Sequence, residues 1–246
     1  MIFPSLDRVK AIAPGYDIVP VYMEILSDVR TPISVLKALK QVSSHTYLLE
    51  SADNSNHWGR YSFLGYDPKI ELFCKNHKMT IKDGTTRTFE CSDPAAEIRN
   101  ILSQYKSPRL EELPTFTGGF VGYFACEYIR YIEPTLDFPT PDDDSAMVND
   151  VDLMLFDKVI AFDHYKNKIY LIANISTNDL ERNYNKAELE LKALADLVVN
   201  GKEANIPKGI LKTEFTSEFT KDEFEAVVKK TQHYIKEGDI FQCVVS

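Results

Sequence analysis

Apolar and polar positions along the chain fall into short strand-like runs separated by a few strongly periodic helices. Asp17 to Leu26 is rich in β-branched residues and reads as a strand. Pro20 has no N–H to donate to a ladder, which places that strand at a sheet edge. Thr31-Pro32 then supplies an N-cap followed by proline at the first helical position. Ile33, Leu36 and Leu39 form the expected stripe of this helix, with Val35 and Ala38 beside it. Two strands are expected at His45 to Ser51 and Gly59 to Tyr66, joined by the polar stretch Ala52 to Asn56. Lys69 to Lys75 and Lys78 to Lys82, with Asp83-Gly84 as turn chemistry, continue an antiparallel meander.

Farther on, a helix opens at Asp93-Pro94, with Ile98, Ile101, Leu102 and Tyr105 at helical spacing. Pro134 to Asp152 reads as a loop. Val151 to Phe162 and Lys168 to Ile175 read as a hairpin around His164 to Asn167. Asp179 to Asn200 is a long helix closed by Gly201 in an expected left-handed C′ conformation. A polar linker follows, and then a helix opened by the capping box Thr220-Lys221-Asp222-Glu223. Phe224, Val227, Val228, Thr231, Tyr234 and Ile235 line its apolar face, and Gly238 ends it. Asp239 to Ser246 reads as a buried strand, which needs partners on both sides, so the polypeptide is expected to be part of something longer. The pattern predicts an α+β fold, mainly antiparallel β-sheet with flanking helices.

Composition narrows the chemistry. Among 246 residues, 28 Lys and Arg face 37 Asp and Glu, a net charge of −9. Such a balance repels phosphate backbones and anionic lipid, so neither a nucleic-acid nor a membrane partner is expected. No stretch is long and apolar enough to span a bilayer, and no secretory signal opens the chain, so the expected location is the cytoplasm. Cys74, Cys91, Cys126 and Cys243 form no CxxC pair, and the histidines show no ligand spacing. Reduced, partly buried thiols are expected rather than a zinc or redox site. Gly118-Gly119-Phe120-Val121-Gly122 lacks phosphate-loop spacing and is read as letting backbone pass close to a neighbour. The aspartates 142–144, with Asp150 and Asp152, lack the alternation of a calcium loop and read as a solvated acidic segment. Cys126 beside Glu127 has no histidine close in sequence and reads as a buried thiol. Tyr123, Phe124, Tyr128 and Tyr131 read as core packing.

One pair of segments carries candidate binding chemistry: Leu48-Leu49-Glu50-Ser51 and Trp58-Gly59-Arg60-Tyr61-Ser62-Phe63. Strand alternation puts Leu49 and Ser51 on one face, Leu48 and Glu50 on the other. An amino-acid ligand requires an acceptor for its ammonium, donors for its carboxylate and an apolar wall, and Glu50, Ser51, Arg60 and the leucines are of those types. On the residues alone the simpler reading is a cross-strand Glu50–Arg60 ion pair of purely structural meaning.

These segments resemble the N-terminal region of anthranilate synthase component I. Three further stretches match that family in the same order: Ile18 to Tyr22 with its following helix, Gly118 to Phe124 with Arg130-Tyr131-Ile132-Glu133, and Tyr234 to Gln242. A departure is Ala125-Cys126-Glu127, where the family more often has a glycine-tyrosine-aspartate type sequence. The resemblance implies a chorismate-using enzyme of tryptophan biosynthesis. Ammonia from a glutamine amidotransferase partner subunit is added to chorismate, pyruvate is eliminated, and Mg²⁺ held by glutamates assists. It also implies feedback inhibition by tryptophan, with Leu49, Glu50 and Ser51 at the effector site. Arg60 is added here on the carboxylate argument above.

The same resemblance assigns residues 1–201 to a regulatory, tryptophan-sensing domain and 202–217 to a linker. Residues 218–246 would be the first helix and strand of a chorismate-binding domain. It places the chorismate, Mg²⁺ and acid–base residues beyond these, so no catalytic residue and no metal ligand is expected in this chain, nor synthase activity from it alone. Aminodeoxychorismate synthase, a close relative, and a free-standing amino-acid-binding module are the alternatives. The Ile18–Tyr22 opening and Trp58-Gly59-Arg60 favour anthranilate synthase over the first of them.

Overall fold

The computed structural model describes residues 1–28, 30–51, 59–133, 135, 148–207 and 209–245. It divides into two units, Met1–Asn205 and Ile206–Ser246. The first contains two five-stranded antiparallel sheets with helices against them, the α+β class that the pattern predicts.

The first sheet is built from β1 (Ile18–Leu26), β2 (Thr46–Leu49), β3 (Tyr61–Tyr66), β9 (Lys158–Asp163) and β10 (Lys168–Ser176), in the order β1-β10-β9-β3-β2. Pro20 sits on β1, which is an edge strand as expected. The second sheet contains β4 (Ile70–Lys75), β5 (Lys78–Lys82), β6 (Thr86–Glu90), β7 (Gly119–Phe124) and β8 (Val151–Phe156), in the order β6-β5-β4-β8-β7. Val151 to Phe162 is therefore not one strand. Asp157 interrupts it and hands the chain from the second sheet to the first, as Asp67-Pro68-Lys69 does between β3 and β4. Pattern alone conceals this break, because both sides are equally apolar.

Strand alternation gives the first sheet two buried faces. Val19, Val21, Leu64, Ile160, Phe162, Ile169 and Leu171 form one core with α1 (Leu6–Ile12), α2 (Pro32–Leu39) and α5 (Leu180–Asn200). Tyr22, Val159, Ala161, Tyr170 and Ile172 form another on the opposite face, with Leu110 and Leu113; Phe63 and Phe116 pack against it. The second sheet packs Ile70, Leu72, Met79, Leu153 and Leu155 with Ile98 and Ile101 of α3 (Pro94–Leu102), and Tyr131 of α4 (Ile129–Ile132) lies against them.

Several local expectations shift. The capping box of Thr31 and Ser34 starts α2, but its buried residues are Val35, Ala38 and Leu39, while Ile33 is exposed. The helix is turned about its axis from the expected stripe, because α2 meets both β2 and α5. Gly201 has φ −58° and is not left-handed. Its missing side chain instead avoids the Leu197 carbonyl and the Ala38 methyl. Arg30 holds the stretch after α5, donating from Nη2 to the Gly201 carbonyl at 2.8 Å and from Nε to the Val199 carbonyl at 3.2 Å. In the second unit, the Thr220–Glu223 box caps α6 (Lys221–Glu237) and Gly238, at φ 85°, ends it, both as expected. Residues 239–245 form no strand, and Phe241 and Val244 are exposed. An apolar run becomes a strand only where other backbone is present to pair with it.

Candidate functional site

β2 pairs with β3 through Thr46↔Tyr66, Tyr47↔Gly65, Leu48↔Leu64 and Leu49↔Phe63. Leu48 packs against the helix-side core, while Leu49, on the other face, is 47% exposed. Glu50 and Ser51 follow the last rung and are both exposed. An apolar side chain, a carboxylate and a hydroxyl are thus exposed in succession at the end of β2. Trp58 and the loop 52–58 lie outside the described residues.

Arg60 enters the same sheet just before β3. The Tyr61↔Asp163 pairing sets it opposite the end of β9, and its carbonyl accepts from the His164 N–H at 2.9 Å. The guanidinium donates to Asp163, not to Glu50: Nε to Oδ1 at 3.1 Å and Nη2 to Oδ2 at 2.7 Å. The structural alternative of a cross-strand Glu50–Arg60 pair gives way to this bidentate pair. Asp163 is fully buried and accepts two more bonds, from the Tyr165 and Lys166 amides at 3.1 and 3.0 Å. Burial alone would raise its carboxyl. The Arg60 bonds and the two amides outweigh burial and hold it below the ordinary carboxylate range. The Arg60 guanidinium is in turn pushed up, chiefly by its bond to Asp163. Its plane lies near the rings of Tyr61 and Tyr165, 4.8 and 5.5 Å from their centroids. Ser62 Oγ and His164 Nε2 share a 2.7 Å hydrogen bond beside it. Asp163 was not singled out from the sequence. The signal present was an aspartate at the start of a four-residue turn, where its side chain caps the turn's amides.

The other candidates resolve differently. Asp150 is buried and accepts from Tyr131 Oη at 2.7 Å and the Asn76 amide at 2.8 Å, so it is a structural acceptor rather than part of a solvated acidic segment. Residues 142–144 lie outside the described ones. Cys74 and Cys91 are buried thiols, but Cys126 and Cys243 are exposed, against expectation for Cys126. Cys126 begins a single 3-10 turn that follows the edge strand β7, which leaves it on the surface. Tyr128 and Tyr131 pack against the second sheet's core, whereas Tyr123 and Phe124 are exposed. Gly118 does permit close approach: a Cβ there would meet Asn174 Nδ2 at 2.6 Å and the Phe156 carbonyl at 3.0 Å. A cavity of about 100 Å³ nearby is lined by Ile18, Tyr105, Gly118, Phe156, Asp157 and Asn174. The Asn174 amide is already committed there, donating to the Thr117 and Asp157 carbonyls at 2.7 and 3.0 Å.

Among the described residues no three His, Cys, Asp or Glu side chains converge as metal ligands, and no step is assigned to Mg²⁺ here. No helix among them is long and apolar enough to cross a membrane.

Comparison with known proteins agrees with the fold. The chain is 35% identical to anthranilate synthase component 1 of Acetivibrio thermocellus, over 100% of this chain and 51% of that protein. It is 33% identical to the protein of the same name from Aquifex aeolicus, over 98% of this chain and 49% of that protein. The crystal structure of anthranilate synthase component I from Streptococcus pneumoniae TIGR4 superposes with a TM-score of 0.51 at 25% identity, covering 89% of this chain and 46% of that one. The chain thus spans about half the length of the curated relatives it matches. The sequence model of the chorismate binding enzyme family matches residues 45–246, and the chain belongs to that family.

Proposed function

We propose that this chain is the effector-sensing, N-terminal portion of an anthranilate synthase component I. In the whole protein, ammonia from a glutamine amidotransferase subunit would convert chorismate to anthranilate and pyruvate, with tryptophan as feedback inhibitor. The observation that carries this reading is the match of the entire chain to half of proteins bearing that name. Leu49, Glu50, Ser51 and Arg60 are the residues proposed to receive tryptophan. The reading draws support from the exposure of Leu49, Glu50 and Ser51 at the end of β2 and from Arg60 standing just before the neighbouring strand β3, residue types that an amino-acid ligand requires. Bond-making and Mg²⁺ binding are assigned to no residue here.

The test is incubation of the chain with chorismate, ammonia and Mg²⁺, followed by anthranilate fluorescence, beside calorimetric titration with tryptophan. Tryptophan binding without turnover is expected. Steady anthranilate production would refute the assignment of chemistry elsewhere, and absence of tryptophan binding would refute the sensing role. A second reading, an amino-acid-binding module that serves no synthase, draws support from one finding. Met1–Asn205 forms a unit containing all three apolar clusters. Restoration of synthase activity when the chain is joined to the other half of a relative would exclude it.

A further inference from the structure

A guanidinium has two edges that match a carboxylate, Nε with one terminal nitrogen and the two terminal nitrogens together. Asp163 occupies the Nε–Nη2 edge of Arg60, with bonds of 3.1 and 2.7 Å. Among the described residues nothing hydrogen-bonds to Nη1, and the Arg60 side chain is 29% exposed while that of Asp163 is 0% exposed. Asp163 is itself immobilised by the Tyr165 and Lys166 amides, and the Tyr61 and Tyr165 rings flank the guanidinium plane. One edge of Arg60 is thus fixed by a buried carboxylate, while Nη1, on a partly exposed side chain, has no hydrogen-bond partner among the described residues.

From this geometry we propose that Asp163 is a positioning residue for ligand recognition: it locks one edge of Arg60 so that the Nη1–Nη2 edge receives the carboxylate of an amino-acid effector. The proposal rests on the effector reading above and adds to it a second, buried residue and a bonding mode. Its sign is diagnostic. By charge alone, Asp163→Asn makes the site more positive and strengthens carboxylate binding. Loss of positioning weakens it, because a free arginine must be ordered when the ligand arrives.

The test is calorimetric titration of the 246-residue chain and its variants with L-tryptophan and with L-tryptophanamide, which keeps the ammonium and indole but lacks the carboxylate charge. The unaltered chain is expected to prefer tryptophan by about tenfold or more, and Asp163→Asn to reduce that preference to about twofold while binding of the amide changes little. Arg60→Lys, a change at a partly exposed position, serves as the second variant. A lysine cannot satisfy two carboxylates edge by edge, so the preference falls there too. Equal weakening of both ligands by Asp163→Asn, or a stronger preference for tryptophan, would overturn the positioning role. So would a full preference retained in Arg60→Lys. A preference near one in the unaltered chain would overturn the proposal while leaving the effector site standing. Binding of neither ligand would remove the effector reading and this proposal with it.

Discussion

Two half-buried tyrosines in different surroundings make a paired experiment on what a hydroxyl contributes. Tyr131 Oη donates to Asp150 at 2.7 Å, accepts from the His77 amide at 2.9 Å, and lies 3.4 Å from Cys74 Sγ. Burial, and then its bonds to Cys74 and Asp150, push its phenol well above the ordinary range, so it remains a neutral donor. Tyr47 Oη is buried with no hydrogen-bond partner among the described residues. Its ring packs edge-on against Phe156 at 4.7 Å and lies over Gly65, where a Cβ would collide with it. Tyr→Phe keeps each ring and deletes only the hydroxyl.

At Tyr131 the change breaks a bond to a buried carboxylate, which costs about 1.5–3 kcal/mol. The ring contact with His77, 4.6 Å between centroids, is kept. At Tyr47 the change removes a dehydrated, unpaired hydroxyl and should return about 1 kcal/mol. For a unit the size of Met1–Asn205, each kcal/mol is worth about 2–4 °C in the midpoint. Tyr131→Phe is therefore expected to melt roughly 3–12 °C lower, and Tyr47→Phe roughly 2–4 °C higher, by calorimetry or far-ultraviolet circular dichroism. A Tyr131→Phe midpoint unchanged within about 1 °C, or a Tyr47→Phe loss as large as that of Tyr131→Phe, would refute the reasoning.

Three further expectations concern other parts of the molecule. Gly122→Ala meets the Asp152 carbonyl and the Leu153 Cα from a backbone at φ 158°, so it should displace β7 and cost about 2 kcal/mol or more, measured by urea denaturation. Asp157 is held above the ordinary carboxylate range by burial, against Lys158 and Lys69, which lower it. Its protonated form is the one the fold favours: that contribution is complete below the unfolded value of about 3.9 and is lost as pH rises through the folded value. Asp157→Asn should thus be more stable than the parent at pH 7 and alike near pH 3.5; equal denaturation midpoints at both pH values would contradict this. Ser51→Phe, at an exposed strand end, should weaken tryptophan binding about tenfold with an unfolding shift within about 0.5 kcal/mol, and an unchanged binding isotherm would remove Ser51 from the effector site.

Local signals in the sequence determined what depends on neighbours along the chain. The Thr31 and Thr220 caps, the left-handed Gly238, the edge position of Pro20 and the turn at His164 to Asn167 all follow from backbone chemistry within a few residues. So does the face on which Leu49 lies, since pleating alternates regardless of partners. Strands β6 and helix α1 went unread because neither shows a long periodic stripe; α1 buries only Val9. Tertiary structure alone decided the rest. Asp157 divides one apolar run between two sheets, Asp150 finds Tyr131 across the fold, and Arg60 pairs with Asp163 rather than with nearby Glu50. The physical reason is that an ion pair or a strand exchange depends on which backbones lie side by side, and Arg60 and Asp163 are 103 residues apart until β3 and β9 align. Residues 239–245 show the same dependence from the other direction: β-branched composition makes a segment able to pair, and only adjacent backbone makes it a strand.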